Sequence, residues 1–211
     1  GLGDVYKRQY FLCGIVRGVD VTDELLRSMM EMQEKLHITI GRKRSKLAIG
    51  IHDLSKVKPP FIYKLAEPHS IRFVPLAMDE EMDMAEIVER NEKGREYNKL
   101  LEGMSEYPVI LDSEGQVLSF PPIINGRLTT VTVGRHDLFI DVTGNDAKAV
   151  KGALDIVACA LAERGGRIES VIMHDGDATF RSPDLTPAVR RISASACDRF
   201  LGKEIGPQGT V

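Results

Sequence analysis

Two short stretches place polar residues in apolar surroundings, and chemistry is to be expected there. In Ser119-Phe120-Pro121-Pro122-Ile123-Ile124-Asn125 two prolines follow a strand pattern. Each proline fixes φ and removes a donor, so the chain leaves the strand as a stiff, extended wall. Such a wall either presents Ser119 and Asn125 to a pocket or is a rigid connector with Asn125 as its turn residue. The second stretch is Leu138-Phe139-Ile140-Asp141-Val142-Thr143-Gly144-Asn145-Asp146. Alternate residues of a strand share a face, which puts Phe139, Asp141 and Thr143 together. An aspartate in so apolar a strand costs free energy unless it is paired, solvated or lining a polar pocket. Asp141 is therefore either a structural carboxylate accepting local N–H bonds or a group facing a ligand. Gly144 lets the backbone come close, to a ligand or in the turn to the next helix. A third cluster, Arg42, Lys43, Arg44 and Lys46, precedes His52-Asp53. It reads as a solvated basic loop or as a phosphate-contacting patch. His52 by itself reads as a structural histidine.

The signatures of standard hydrolases and nucleotide enzymes are missing. The sequence has no GxSxG elbow, no HExxH, no P-loop and no GxGxxG. Cys13, Cys159 and Cys197 are far apart and form no CxxC pair, so neither a zinc site nor a disulfide framework is indicated. Buried thiols in a reducing cytoplasm are expected instead. With a net charge of -3, 43% hydrophobic and 28% charged residues, the chain has the balance of a globular domain and is not a globally basic nucleic-acid binder. Contact with RNA must come from a local patch. No apolar run is long enough to span a membrane.

The elements that must position these residues follow from periodicity and turn chemistry. Tyr10 to Val21 reads as a strand, and Thr22 caps a helix with a Leu25, Met29, Met32, Leu36 stripe. Residues 47–52 read as a buried strand, residues 61–66 and 71–76 as two short ones, and residues 79–90 as a helix with an acidic start. Residues 108–120 form a hairpin about Asp112-Ser113-Glu114-Gly115, and residues 128–143 a second about Gly134-Arg135-His136-Asp137. Asp146 caps a helix with the stripe Val150, Leu154, Val157, Leu161, and residues 168–173 form a last strand. Residues 174–186 are polar and loop-like, and a helix follows before a Gly/Pro-rich end. The start, residues 1–9, has no period and reads as a cloning or assembly scar.

Taken in order, GRKRSKLAIGIHD, PVILDSEGQVLSFPPIIN and LFIDVTGND make the chain resemble the editing region of phenylalanine–tRNA ligase beta subunits of the archaeal/eukaryotic type. The tail from Thr186, TPAVRRISASACDRFLG, is similar to the opening of the next beta-subunit module. The resemblance implies an α+β fold with a central, mostly antiparallel β structure and flanking helices, and three regions. These are residues 1–9 as scar, 10–175 as editing domain and 186–211 as the truncated start of a small following domain. It implies hydrolysis of tyrosine wrongly joined to phenylalanine tRNA, by a positioned water. A non-catalytic structural or tRNA-positioning module is the alternative. The physical need is plain, because a pocket shaped for a phenyl ring rejects an added hydroxyl poorly and a second site must remove the error. On that resemblance Ser119, Asp141 and Thr143 are the expected catalytic set. Asn125, Pro121, Pro122 and Gly144 form the expected substrate-binding set, and Arg42, Arg44 and Lys46 the tRNA-contacting one. No metal is expected in this region. ATP and Mg²⁺ are expected for the whole ligase, with an alpha subunit as partner (two alpha and two beta chains), in the cytoplasm.

Overall fold

The structure, a computed structural model, describes residues 10–187 and 189–204. The stretch expected to be a scar, residues 1–9, lies outside the described residues.

β1 (Tyr10–Val21) is a run of β-branched and aromatic residues, and α1 (Asp23–Ile38) starts where Thr22 Oγ1 accepts the Leu25 N–H at 3.1 Å. β2 (Leu47–Asp53) follows and is buried along its whole length. Residues 54–133 then leave this layer and form a second unit. It contains β3 (Ile62–Ala66), β4 (Arg72–Phe73), β5 (Met82–Asp83), α2 (Met84–Arg90) and α3 (Glu92–Tyr97). β6 (Tyr107–Leu111), β7 (Val117–Phe120) and β8 (Ile124–Asn125) complete it. The chain returns through β9 (Gly134–Gly144), α4 (Ala147–Ala162) and β10 (Arg167–Glu169). The hairpin β11 (Val171–Asp175) and β12 (Ala178–Ser182) and the short helix α5 (Ala194–Leu201) end the described chain.

The first layer is an antiparallel sheet in the order β10-β1-β9-β2. With α1 and α4 it makes a split β-α-β pair interrupted by the inserted unit. Both helices cover one face. Val16, Ile49, Leu138, Ile140 and Val142 from the strands pack there with Leu25, Val150, Leu154 and Val157. A bulge keeps β1 in step with that core. Gly18, at φ +67, shifts the pairing between Val16 and Val19, so valines an odd number of residues apart both reach the helices. Asp137 holds the bulge by accepting the Gly18 N–H at 2.8 Å. At the other edge β2 has no strand neighbour among the described residues. Side chains of α1 occupy its outward groups instead: Gln33 Nε2 donates to the Ile49 carbonyl at 2.6 Å, and the Ile49 N–H donates to His37 Nε2 at 2.8 Å.

The second sheet, β3-β6-β7-β8, lies over the face the helices leave bare. Cys13, Ile15 and Phe139 of the first sheet meet Ile110 and Leu118 of the second, with Val57 and Met173 at the margins. The α+β architecture and its antiparallel sheets are as expected from the sequence. Three local expectations are overturned. Residues 128–143 form no hairpin, because Gly134 onward is one long strand whose partners, β1 and β2, are distant in sequence. The helix expected from residue 79 starts at Met84, where Asp83 and Glu86 form a reciprocal capping box. The polar stretch after His174 is a hairpin, and its packing runs past residue 175, with the Pro183 ring against Gly14.

Arg17 ties the bulge to the sheet edge through Asp137 at 2.9 Å and Glu169 at 3.0 Å. The Arg17 hydrogen bond holds Glu169 below the usual carboxylate range. Burial raises Asp137, but the bonds from Arg17 and Gly18 more than offset it. Carboxyls with lowered folded values stabilise the fold above the unfolded value, near 4, and lose that contribution as pH falls through the folded value. Both groups are partly solvated, so each pair contributes about 0.2–1 kcal/mol. Arg17→Met is therefore expected to lower the thermal midpoint at pH 7 by a few degrees, with the gap to the parent closing towards pH 3. Thermal melts from pH 7 to 3 check this, and a gap independent of pH would refute it.

Candidate functional site

The site is built where the two layers face each other at the β2 edge. Asp141 stands on the second-sheet face of β9, and its register partner on β2 is Gly50. A Cβ at Gly50 would collide with Asp141 Oδ2 and with His52 Nε2. The missing side chain is what lets the carboxylate lie across β2 and meet His52. Asp141 Oδ2 and His52 Nε2 are 2.6 Å apart, and both side chains are almost wholly shielded, at 2% and 0% exposure. The other ring nitrogen, Nδ1, lies 2.7 Å from Thr129 Oγ1, which also reaches the Gly126 carbonyl at 3.4 Å. In the neutral ring, the tautomer assigned from this network gives the Nε2 proton to Asp141 and accepts the threonine hydroxyl at Nδ1. Asp141 thus has a fixed orientation. Burial, with the Asp141 charge second, pushes the thiol of Cys13, its register partner on β1, well up.

The facing wall comes from the second sheet. Ser119 and Asn125 are register partners on β7 and β8, and Ser119 Oγ donates to Asn125 Oδ1 at 3.3 Å. Pro121 and Pro122, joined by a cis peptide, turn the chain between them, closed by the Ile123 N–H to the Phe120 carbonyl at 2.8 Å. Ser119, Pro121, Pro122, Asn125, Thr129 and Asp141 line one cavity of about 890 Å³. Its remaining wall is largely apolar and includes Leu26, Met29, Ile49, Ile51 and Val131. A volume of this size suits a ligand of several hundred Å³, more than one amino-acid side chain.

The structure brings together only part of the expected set. Ser119, Asn125, Pro121, Pro122 and Asp141 share the cavity, and Arg44 reaches its rim. Thr143 shares the strand face of Asp141 but lies two residues further along, buried and outside the cavity lining. The close approach at Gly144 is to the Lys46 carbonyl, where a Cβ would clash. The basic loop divides three ways. Arg42 is exposed, Lys46 pairs with Asp146 at 2.8 Å, and Arg44 turns inward to the carbonyls of Pro122 and Ile123. Reading the sequence underrates His52 and misses Gly50 and Thr129. A glycine inside a strand pattern, two residues before a histidine, was the available signal, since such a glycine marks close approach. Among the described residues no three His, Cys, Asp or Glu side chains gather as a metal site, and no helix is long and apolar enough to cross a membrane.

No protein-family model matches the chain. Curated relatives do match. The phenylalanine–tRNA ligase beta subunit of Methanothrix thermoacetophila is 50% identical over 190 residues, covering 90% of this chain and 35% of that protein. The beta subunit of Methanosarcina barkeri is 48% identical over 199 residues, covering 94% and 36%. That of Methanocaldococcus jannaschii is 47% identical over 210 residues, covering 99% and 38%. Among solved structures, an N-terminal fragment of the phenylalanyl-tRNA synthetase beta subunit from Pyrococcus horikoshii superposes with a TM-score of 0.92 at 43% identity, covering 96% of this chain and 58% of that one. The chain therefore spans little more than a third of the length of these curated relatives.

The contact between Gly50 and the Asp141–His52 pair makes a direct forecast. Gly50→Ala is expected to destabilise the fold by about 1–3 kcal/mol through overpacking, although alanine is otherwise the better strand residue. Combining it with Asp141→Ala should remove much of that cost, because the two sites share one contact. Urea unfolding of the four proteins of this cycle measures the coupling. A neutral Gly50→Ala, or strictly additive effects, would show that the close packing at Gly50 is not what holds the pair.

Proposed function

We propose that this chain, which belongs by sequence and fold to the phenylalanine–tRNA ligase beta subunit family, carries a hydrolytic editing site that removes tyrosine from phenylalanine tRNA. The observation that carries this reading is the buried, oriented Asp141 carboxylate at the wall of a large and mostly apolar cavity. Apolar walls suit the aromatic ring of tyrosine and phenylalanine alike. Only a polar group placed at the ring's far end distinguishes them, and a charge-assisted acceptor for one phenol hydroxyl contributes about 1.5–3 kcal/mol. His52 occupies Oδ2 of Asp141, so the acceptor is held in one orientation by a partner that is itself held by Thr129.

The ester would be cut by water. The lining hydroxyl that does meet a base, Thr129 Oγ1 at 2.7 Å from His52 Nδ1, is buried and packed against the histidine and the Gly126 carbonyl, so in this reading it holds His52 in place and water is the attacking group. The protein's part is then to orient the ester and a water with Ser119, Asn125 and backbone groups of the proline wall, and to stabilise the developing oxyanion. In this reading the free ribose hydroxyl of the terminal adenosine would assist. The sequence has no phosphate-binding glycine loop, and among the described residues no three acidic side chains gather. ATP and magnesium serve, in this reading, the synthetic site of the whole cytoplasmic ligase. An alpha subunit supplies that site in an assembly of two alpha and two beta chains.

The structure dictates which substitution tests the role of Asp141. Asp141→Ala leaves His52 buried without its partner, at a cost of about 1–3 kcal/mol, and mixes stability with function. Asp141→Asn keeps an acceptor for His52 and turns an amide group towards the cavity. It is expected to lower kcat/KM for deacylation of tyrosyl-tRNA roughly 10–100-fold relative to the phenylalanyl ester, with only a small change in melting temperature. Deacylation of the two charged tRNAs and a thermal melt, on one preparation, provide the comparison. Undiminished preference for tyrosine in a stable variant would return Asp141 to a purely structural role.

A further inference from the structure

We infer that Arg44 is a positioning residue of this site, acting on the cavity through the proline wall and not on tRNA phosphates. The inference rests on the hydrolytic reading above and adds a residue to it.

Three consecutive non-glycine residues, Arg42, Lys43 and Arg44, have left-handed backbones at φ 46, 52 and 63. This is a costly conformation for L-residues, tolerated where the surroundings over-determine it. Here the turn is folded back on the end of α1. The Gly41 N–H donates to the Leu36 carbonyl at 2.8 Å, the Arg44 N–H to the His37 carbonyl at 3.2 Å and the Lys46 N–H to the Gly41 carbonyl at 2.9 Å. Gly41 is packed against that helix end so closely that a Cβ would strike the His37 carbonyl. The result is to aim Arg44 across the mouth of the cavity while Arg42 and Lys43 stay in solvent.

The target explains the aim. Pro121 and Pro122 provide no N–H, so the wall cannot be held by a regular ladder. Arg44 Nη1 supplies what the ladder lacks, donating to the carbonyls of Pro122 at 3.1 Å and Ile123 at 2.9 Å. The guanidinium also sits over the Tyr97 ring of α3, 4.7 Å from its centroid. One side chain of the first layer thus fastens two elements of the inserted unit, the wall and α3. Burial pulls the guanidinium down, and Tyr97, Glu34 and Glu96 act in the opposite direction. Both protons of Arg44 Nη1 are already given to carbonyls of the wall. The wall carries Ser119 and Asn125 at its two ends, so its position sets how they face Asp141.

The test uses the chain with Arg44→Ala and Arg44→Lys, and Arg27→Ala, on the exposed face of α1 and outside the cavity lining, as the comparison. Two measurements are made, hydrolysis of a small tyrosine ester with kcat and KM separated, and amide hydrogen exchange. Expected for Arg44→Ala is a roughly 10–100-fold loss of kcat on the small ester with KM little changed, because slight misplacement of reacting groups is costly. Exchange should speed up locally at Ile123 and Gly126, whose N–H groups close the wall. Arg44→Lys should recover part of the loss, since one ammonium reaches one carbonyl, and Arg27→Ala should change neither measurement. An unchanged small-ester kcat, with only tRNA binding and its salt dependence altered, would overturn the inference in favour of phosphate contact. Fast exchange spread over both sheets would overturn it in favour of general stabilisation. If the parent hydrolyses no tyrosine ester, the hydrolytic reading itself fails. The exchange pattern then decides alone whether Arg44 holds the wall.

Discussion

A carboxylate enclosed between two sheets must be hydrogen-bonded, and much of this architecture follows from meeting that requirement at Asp141. Burying an ionised group unpaired costs several kcal/mol, so its partner has to be built from elements already in place. The partner is His52 on the neighbouring strand, at 2.6 Å. Reaching it requires Gly50 to have no side chain and β2 and β9 to pair in one register, since a slip of one residue would turn the carboxylate into the helix-covered core. The histidine's second nitrogen adds a further demand, met by Thr129 from a turn of the inserted unit. A chain of three side chains thus links β9, β2 and the insertion, and the cavity opens along it.

The division of the sequence follows the same logic. The split β-α-β layer makes a complete core with its two helices and leaves one sheet face apolar. The insertion covers that face with β6 and β7 but not the whole of it. Where cover is lost, beyond Leu118 and towards the edge of β2, the polar residues of both layers collect. The site is therefore a junction between two packed units, a common place for ligand cavities because neither unit alone closes it.

Local pattern was enough for the features that depend on neighbours in the chain. The face shared by Phe139, Asp141 and Thr143 follows from the two-residue period, the start of α1 from Thr22, and the stiff wall from Pro121 and Pro122. What failed to show depends on pairing at a distance. Gly134 to Asp137 has the composition of a turn, yet it continues a strand because β1 supplies partners more than a hundred residues away. Arg44 cannot be told from Arg42 by type, and only the left-handed turn separates them. His52 looked structural because its partner lies 89 positions on, across a strand pairing invisible in one sequence. Thr143 was grouped with Asp141 by its strand face and by the family resemblance, and it lies two residues further along, outside the cavity lining.

The treatment of the β2 edge bears on how molecules of this protein behave towards one another. A bare edge strand beside an apolar opening offers unpaired N–H and C=O groups to any extended segment, and so invites intermolecular sheet growth. At Ile49 both groups are taken, the carbonyl by Gln33 and the N–H by His37. A foreign strand laid along β2 would have to displace two side chains of α1 before making its first bonds there. The opening can thus stay wide enough for a ligand while resisting self-association, a form of protection against aggregation supplied by a helix, with no need of prolines on the strand itself.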